Sequence, residues 1–103
     1  MNPVLVGLLA AWFNTRKPKL IAAAAPLFVQ HCTDRRGNVR TATDVILKAV
    51  EVYGLKGESI IGYGVTGALR EALLASNRRD RRKHLRKASE RFDAFIRAPQ
   101  EEP

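Results

Sequence analysis

The chain has 103 residues, 46% hydrophobic and 27% charged, which is enough apolar material for a folded core and too much for a disordered segment. This length makes one domain, and so short a chain buries only about two-thirds of the surface its unfolded form exposes, so a homo-oligomer or a place in a larger complex is expected. Eighteen Lys and Arg against ten Asp and Glu give a net charge of +8 and a pI near 10.4, which disfavours basic partners and favours polyanions.

In chain order, Asn2 followed by Pro3 reads as a helix start, with Asn as cap and Pro where a missing N–H costs nothing. Val4 to Phe13 is apolar nearly all round, which predicts a helix central to the core or in a subunit interface. Asn14-Thr15-Arg16-Lys17-Pro18 breaks that pattern. A second apolar helix is predicted from about Pro18 to Gln30, kinked or ended by Pro26, and Asp34 to Asn38 reads as a turn. Thr41 and Asp44 have capping-box spacing ahead of the helical stripe Val45, Ile46, Ala49, Val50, Tyr53, and Gly54 is placed to end that helix. Gly62, Gly64 and Gly67 argue for a turn or short extended piece before a helix that starts near Thr66. The last helix is predicted over Arg78–Arg97, capped by Asn77, with Leu85, Ala88, Phe92, Phe95 and Ile96 on its apolar face. These elements predict an all-α, single-domain bundle of about five helices over residues 1–98, the two N-terminal helices at its centre, and a disordered tail over 99–103.

A single cysteine, Cys32, permits no internal disulfide and suits a reducing compartment. The N-terminus lacks the positive region of a secretory signal, and both apolar stretches fall short of the about 20 residues needed to cross a bilayer. A cytoplasmic protein with no membrane partner is therefore expected.

The segment Asn77 to Arg91 holds eight basic residues against two acids, so six of the chain's eight net positive charges fall within it. Like charges so dense destabilise a helix until something neutralises them, and phosphates do so with release of counterions. Arginine outnumbers lysine there, six to two, and its planar fork suits phosphate oxygens. Arg78, Arg79, Arg81, Arg82, Lys83, Arg86 and Lys87 are the candidate nucleic-acid contacts, and Arg35, Arg36 and Arg40 are candidates to assist beside that helix. A solvated face or a site for an acidic protein explains the same charges.

Ala49 to Ile61 resembles the core of a helix-turn-helix motif: Gly54 as the turn glycine, Leu55 as the hydrophobic residue after it, Val50 and Ile60 as the contacts that lock two helices. Such a motif implies duplex DNA and a dimer. The second helix would carry three glycines and offer Glu58, Ser59, Tyr63 and Thr66 at exposed positions, not a set of base-reading residues. An ordinary corner in the core accounts for the same pattern.

For catalysis there is little. His31 and His84 lie far apart, Cys32 reads as a small buried hydrophobe, and the glycines lack the Lys-Ser/Thr of a phosphate-binding loop. No catalytic residue, metal site or cofactor is expected. The expected function is that of a small basic protein binding DNA or RNA, DNA slightly favoured, mainly through the phosphate backbone. The alternative is a non-catalytic structural or adaptor subunit of an oligomeric or ribonucleoprotein assembly.

Overall fold

The computed structural model describes residues 1–38, 42–55 and 57–98, with the backbone alone at 57 and 58. Arg40, the Thr41 of the capping box, Lys56 within the helix-turn-helix stretch, the Glu58 side chain and the tail 99–103 therefore lie outside the described residues. Among the described residues six α-helices, α1 (Pro3–Thr15), α2 (Pro18–Cys32), α3 (Asp44–Tyr53), α4 (Gly57–Ile61), α5 (Val65–Leu74) and α6 (Arg78–Arg97), form an all-α bundle.

The helix starts follow local chemistry. Asn2 Oδ1 accepts from the Val4 N–H at 2.9 Å and Pro3 opens α1, as the sequence predicts. Arg16 then takes a left-handed conformation, φ 58°, and its N–H donates to the Trp12 carbonyl, closing the helix end. Only Arg16 and Lys17 separate α1 from α2, which folds the two into an antiparallel hairpin. Pro26 neither ends nor interrupts α2. It faces solvent, as does Ala22, whose carbonyl loses its usual donor, so water can satisfy that oxygen.

Thr43 takes the cap position of α3, and it makes no side-chain cap bond. The Asp44 carboxylate accepts from the Val45 N–H at 2.8 Å instead. At the other end Gly54 is left-handed, φ 105°, and in a Schellman arrangement the Leu55 N–H donates to the Val50 carbonyl at 3.1 Å and the Gly54 N–H to the Glu51 carbonyl at 2.9 Å. The corner that follows leads into only five residues of α4 before Gly62-Tyr63-Gly64 turns into α5. The piece left open between turn and extended chain is thus a short helix, which raises the count from five to six. Val50 and Ile60 are both fully buried, as a core corner requires. Thr66, expected at an exposed position, is buried because it opens α5 on the side of Val65 and Leu69.

α1 packs on α2 and α3, α2 also packs on α5, and α5 packs on α6. The two N-terminal helices are less central than their composition suggests. α1 fully buries one face, Leu5, Leu9, Trp12 and Phe13, while Pro3, Val4 and Gly7 face out. The most enclosed helix is α5, flanked by α2 and α6 and burying Val65, Thr66, Ala68, Leu69, Ala72 and Leu73. At the heart of the core the Phe92 ring of α6 meets Phe13 at 4.9 Å between centroids, Tyr53 at 5.9 Å and Trp12 at 6.3 Å. These aromatic contacts tie the C-terminal half of α6 to α1 and α3. Among the described residues no helix is long and apolar enough to cross a membrane.

Candidate nucleic-acid interface

α6 is built in two halves. Its buried residues, Leu85, Ala88, Phe92 and Phe95, begin only at the eighth helical position. Before Leu85, local bonds hold the helix: Asn77 Oδ1 accepts from the Asp80 N–H at 2.8 Å, and Asn77 Nδ2 donates to the Asp80 carboxylate at 2.9 Å. Asp80 in the first turn also offsets the positive end of the helix dipole, which the neighbouring arginines oppose.

Two of the basic side chains serve the fold. Arg81 lies on the core side of α6 and donates from Nη2 to the Ala75 carbonyl at 3.4 Å, its Nε buried with no partner. Arg91 donates from Nη1 to the Gly64 carbonyl at 3.2 Å. Ala75 and Gly64 flank the two ends of α5, so the pair fastens α6 along its neighbour. Arg81 is thus partly spent on structure, although it still borders the groove described next.

The other six candidates on this helix, Arg78, Arg79, Arg82, Lys83, Arg86 and Lys87, are exposed. None has an ion-pair partner among the described residues, where the pairs join Arg16 to Asp93, Lys48 to Glu51 and Arg70 to Glu71. Arg78 and Arg82, Arg79 and Lys83, Arg82 and Arg86, and Lys83 and Lys87 are like-charged at one-turn spacing, each pair costing a few tenths of a kcal/mol. Arg79, Arg82, Lys83, Arg86 and Lys87 border a shallow concavity of about 390 Å³ that Glu90 closes.

Other candidates fall elsewhere. Arg35 and Arg36 sit in the turn after α2, where the Asp34 carboxylate accepts from the Arg36 and Asn38 N–H groups at 2.8 and 2.9 Å. The basic half of α6 lies at the opposite end of α2, and 15 helical residues span about 22 Å, so the structure does not bring Arg35 and Arg36 beside it.

What the fold does bring there is the α1–α2 corner. Pro18, Lys19 and Ala22 face Arg78, Arg81 and Arg82 across a groove of about 400 Å³. Arg16 borders a smaller hollow with Arg82, Arg86 and Ser89. Lys17, at the start of α2, provides no side-chain cap, and no acid stands in the first turn, so the positive end of that helix also faces this region uncompensated. Arg16 is held by its Nη2 on the Asp93 carboxylate at 3.2 Å and by stacking over the Phe92 ring at 3.9 Å. Sequence reasoning missed Arg16 and Lys19 as site residues. The available signal was a basic Arg-Lys-Pro-Lys run between two apolar helices, but its distance from α6 along the chain hid the contact.

Elsewhere the chemistry is that of a fold. Cys32 is buried, its thiol pushed up by burial and by the Asp44 carboxylate, with Arg70 pulling the other way. It stays protonated at neutral pH, a poor nucleophile. Among the described residues no group of three or more His, Cys, Asp and Glu could hold a metal ion. Set against protein-family models, curated proteins and solved structures, the chain has no significant match.

Proposed function

We propose that the protein is a non-catalytic nucleic-acid-binding protein whose contact surface is the N-terminal half of α6. The observation that carries this reading is the row of six exposed cations, Arg78, Arg79, Arg82, Lys83, Arg86 and Lys87, with no ion-pair partner among the described residues, along the N-terminal half of α6. Arg16 and Lys19 extend that field across the groove. A polyanion relieves the repulsion along this helix, and the released counterions supply affinity without sequence readout.

The test is fluorescence anisotropy with labelled duplex DNA, single-stranded DNA and RNA over a range of salt. Six phosphate contacts give a slope of log K against log salt near −5 on a duplex, or about a thousandfold loss of affinity between about 50 and 200 mM salt. Changing Arg78, Arg79, Arg82 and Arg86 together to Gln should leave a slope of about −2. Arg81 is spared because its bond to Ala75 belongs to the fold. Absence of binding to all three ligands at low salt refutes the reading.

A second reading, an added role as subunit of an assembly, is favoured by Val4 and Val29, which are 60% and 41% exposed on the first two helices. It calls for a salt-resistant oligomer in sedimentation that survives the same four substitutions.

A further inference from the structure

We infer that α6 lies in the major groove of duplex DNA, one flank to each strand, with the phosphodiester of one strand seated in the groove between α6 and the α1–α2 corner. The inference rests on the phosphate-binding reading above and adds the ligand form and the docking geometry.

The argument begins with rotation around α6. At 3.6 residues per turn, Arg79 and Arg86 form a crest on the side of the helix away from the stripe of Leu85, Ala88, Phe92 and Phe95. Arg78 and Arg82 share one flank of that crest and Lys83 and Lys87 share the other, the two pairs separated by roughly 140° around the axis. The cations therefore form two one-turn pairs either side of a ridge. One flat phosphate row would use a single stripe. Two rows, one on each side of a cylinder, are what a helix meets when it lies in a groove.

Dimensions select the groove. A helix with its side chains is about 10–12 Å across, which matches the B-form major groove, about 12 Å wide, and not the minor groove at about 6 Å. The major groove of A-form RNA is too deep and narrow to admit it. From Arg78 to Lys87 the helix advances about 13.5 Å, which spans about four base pairs. Glu90 stands at the C-terminal end of the cationic face and bounds the contact there.

The Arg78–Arg82 flank has a second wall. Lys19 faces these arginines across the groove of about 400 Å³, and Arg16 reaches the neighbouring hollow beside Arg82 and Arg86. A strand passing there is gripped from both sides, whereas the strand at Lys83 and Lys87 meets α6 alone. The surface also argues against single strands, which are held by bases stacking on exposed rings. None of the side chains bordering the three hollows is aromatic. Trp12, Phe13, Phe28, Phe92 and Phe95 are all buried. Of the two tyrosines, half-buried Tyr53 packs against Phe13 and Phe92, and exposed Tyr63 meets Phe95 edge-on near the far end of α6.

The experiment compares the intact protein on one short DNA duplex in three states: unmodified, with its cytosines replaced by glucosylated 5-hydroxymethylcytosine, which fills the major groove, and with netropsin seated in the minor groove. Same-sequence duplex RNA and single-stranded DNA are run alongside. The geometry requires the glucosylated duplex to bind at least about tenfold more weakly and netropsin to leave affinity within about twofold. It also requires duplex RNA and single strands to bind more weakly than duplex DNA. Two paired variants, R78Q/R82Q and K83Q/K87Q, should each flatten the salt slope by about two. All four side chains are exposed, and unchanged circular dichroism verifies the fold. Equal binding to plain and glucosylated duplex, tighter binding to RNA or single strands, or one flank pair without effect on the slope overturns the docking geometry and leaves phosphate binding standing. No binding to any nucleic acid overturns both.

Discussion

Replacing Arg16 by alanine and, separately, by glycine divides what its side chain contributes from what its backbone costs. The guanidinium lies 3.9 Å from the Phe92 ring centroid and 5.8 Å from that of Trp12. A cation over a partly desolvated ring is worth about 0.5–2 kcal/mol. The ion pair to Asp93, 3.2 Å long, joins side chains 23% and 47% exposed, so solvent screening holds it to about 0–1 kcal/mol. Arg16→Ala loses both and keeps the left-handed backbone, φ 58°, for a net cost of about 1–2 kcal/mol. Arg16→Gly loses the same contacts but is relieved of the left-handed penalty, about 1 kcal/mol or slightly more. For a domain of this size 1 kcal/mol moves the melting temperature by about 4–8 °C, so the glycine variant should melt that much above the alanine variant. The assay is thermal unfolding followed by circular dichroism. Both variants lack the same guanidinium, so nucleic-acid affinity should fall equally in the two. If they melt together, or the glycine variant melts lower, the left-handed residue at the corner carries no strain and the reasoning fails.

Asn77→Ala removes the side-chain cap of α6 and should cost about 1 kcal/mol, with faster amide exchange over residues 79–82, while Asn77→Ser, which keeps an accepting oxygen without setting a second carboxylate against Asp80, should recover most of the loss. The same alanine variant should bind nucleic acid more weakly although Asn77 is no phosphate contact, because the cations of the first turns must first be ordered; unchanged affinity would refute that coupling. Cys32 supplies a pH prediction. Its folded pKa is raised above the ordinary value of 9.0, mainly by burial, so below about pH 9 the thiol adds no pH dependence. Above that the unfolded chain gives up its proton first and stability falls as pH rises. Denaturant titrations at neutral and alkaline pH should show wild type losing more stability than Cys32→Ala, and parallel losses would show that burial does not hold the proton.

Much of the fold was legible because several helix boundaries carried their own chemistry. Asn77 ahead of a run ending at Arg97 marked α6, and Gly54 followed by Leu55 marked the end of α3, since both signals are satisfied by bonds within a few residues. Of the two outcomes read at Pro26, a kink or an end, the end did not occur, because on the solvent side of α2 the orphaned Ala22 carbonyl costs little. Thr66 misled because its burial is set by α5 packing between two helices, which no local pattern records. The cationic face was readable as composition along one helix, but the division of Arg81 and Arg91 from the other six was not. Their partners, the Ala75 and Gly64 carbonyls, belong to the ends of α5 and depend on how α6 is laid against it. The placing of Arg16 and Lys19 opposite Arg82, and of Arg35 and Arg36 away from it, depends likewise on the direction in which α2 runs.

The late onset of the apolar stripe in α6, at Leu85, makes that helix two modules on one axis. The rear, around Phe92 and Phe95, is constrained by volume and tolerates few exchanges, whereas the exposed positions between Arg78 and Lys83 are constrained only by helix propensity and charge. The front can therefore be rewritten without repacking the rear. Exchanging its arginines for residues that read base edges, or transplanting another basic helix onto the Leu85 junction, would change what this surface contacts through roughly two turns of replaceable sequence while the scaffold behind them stays as it is.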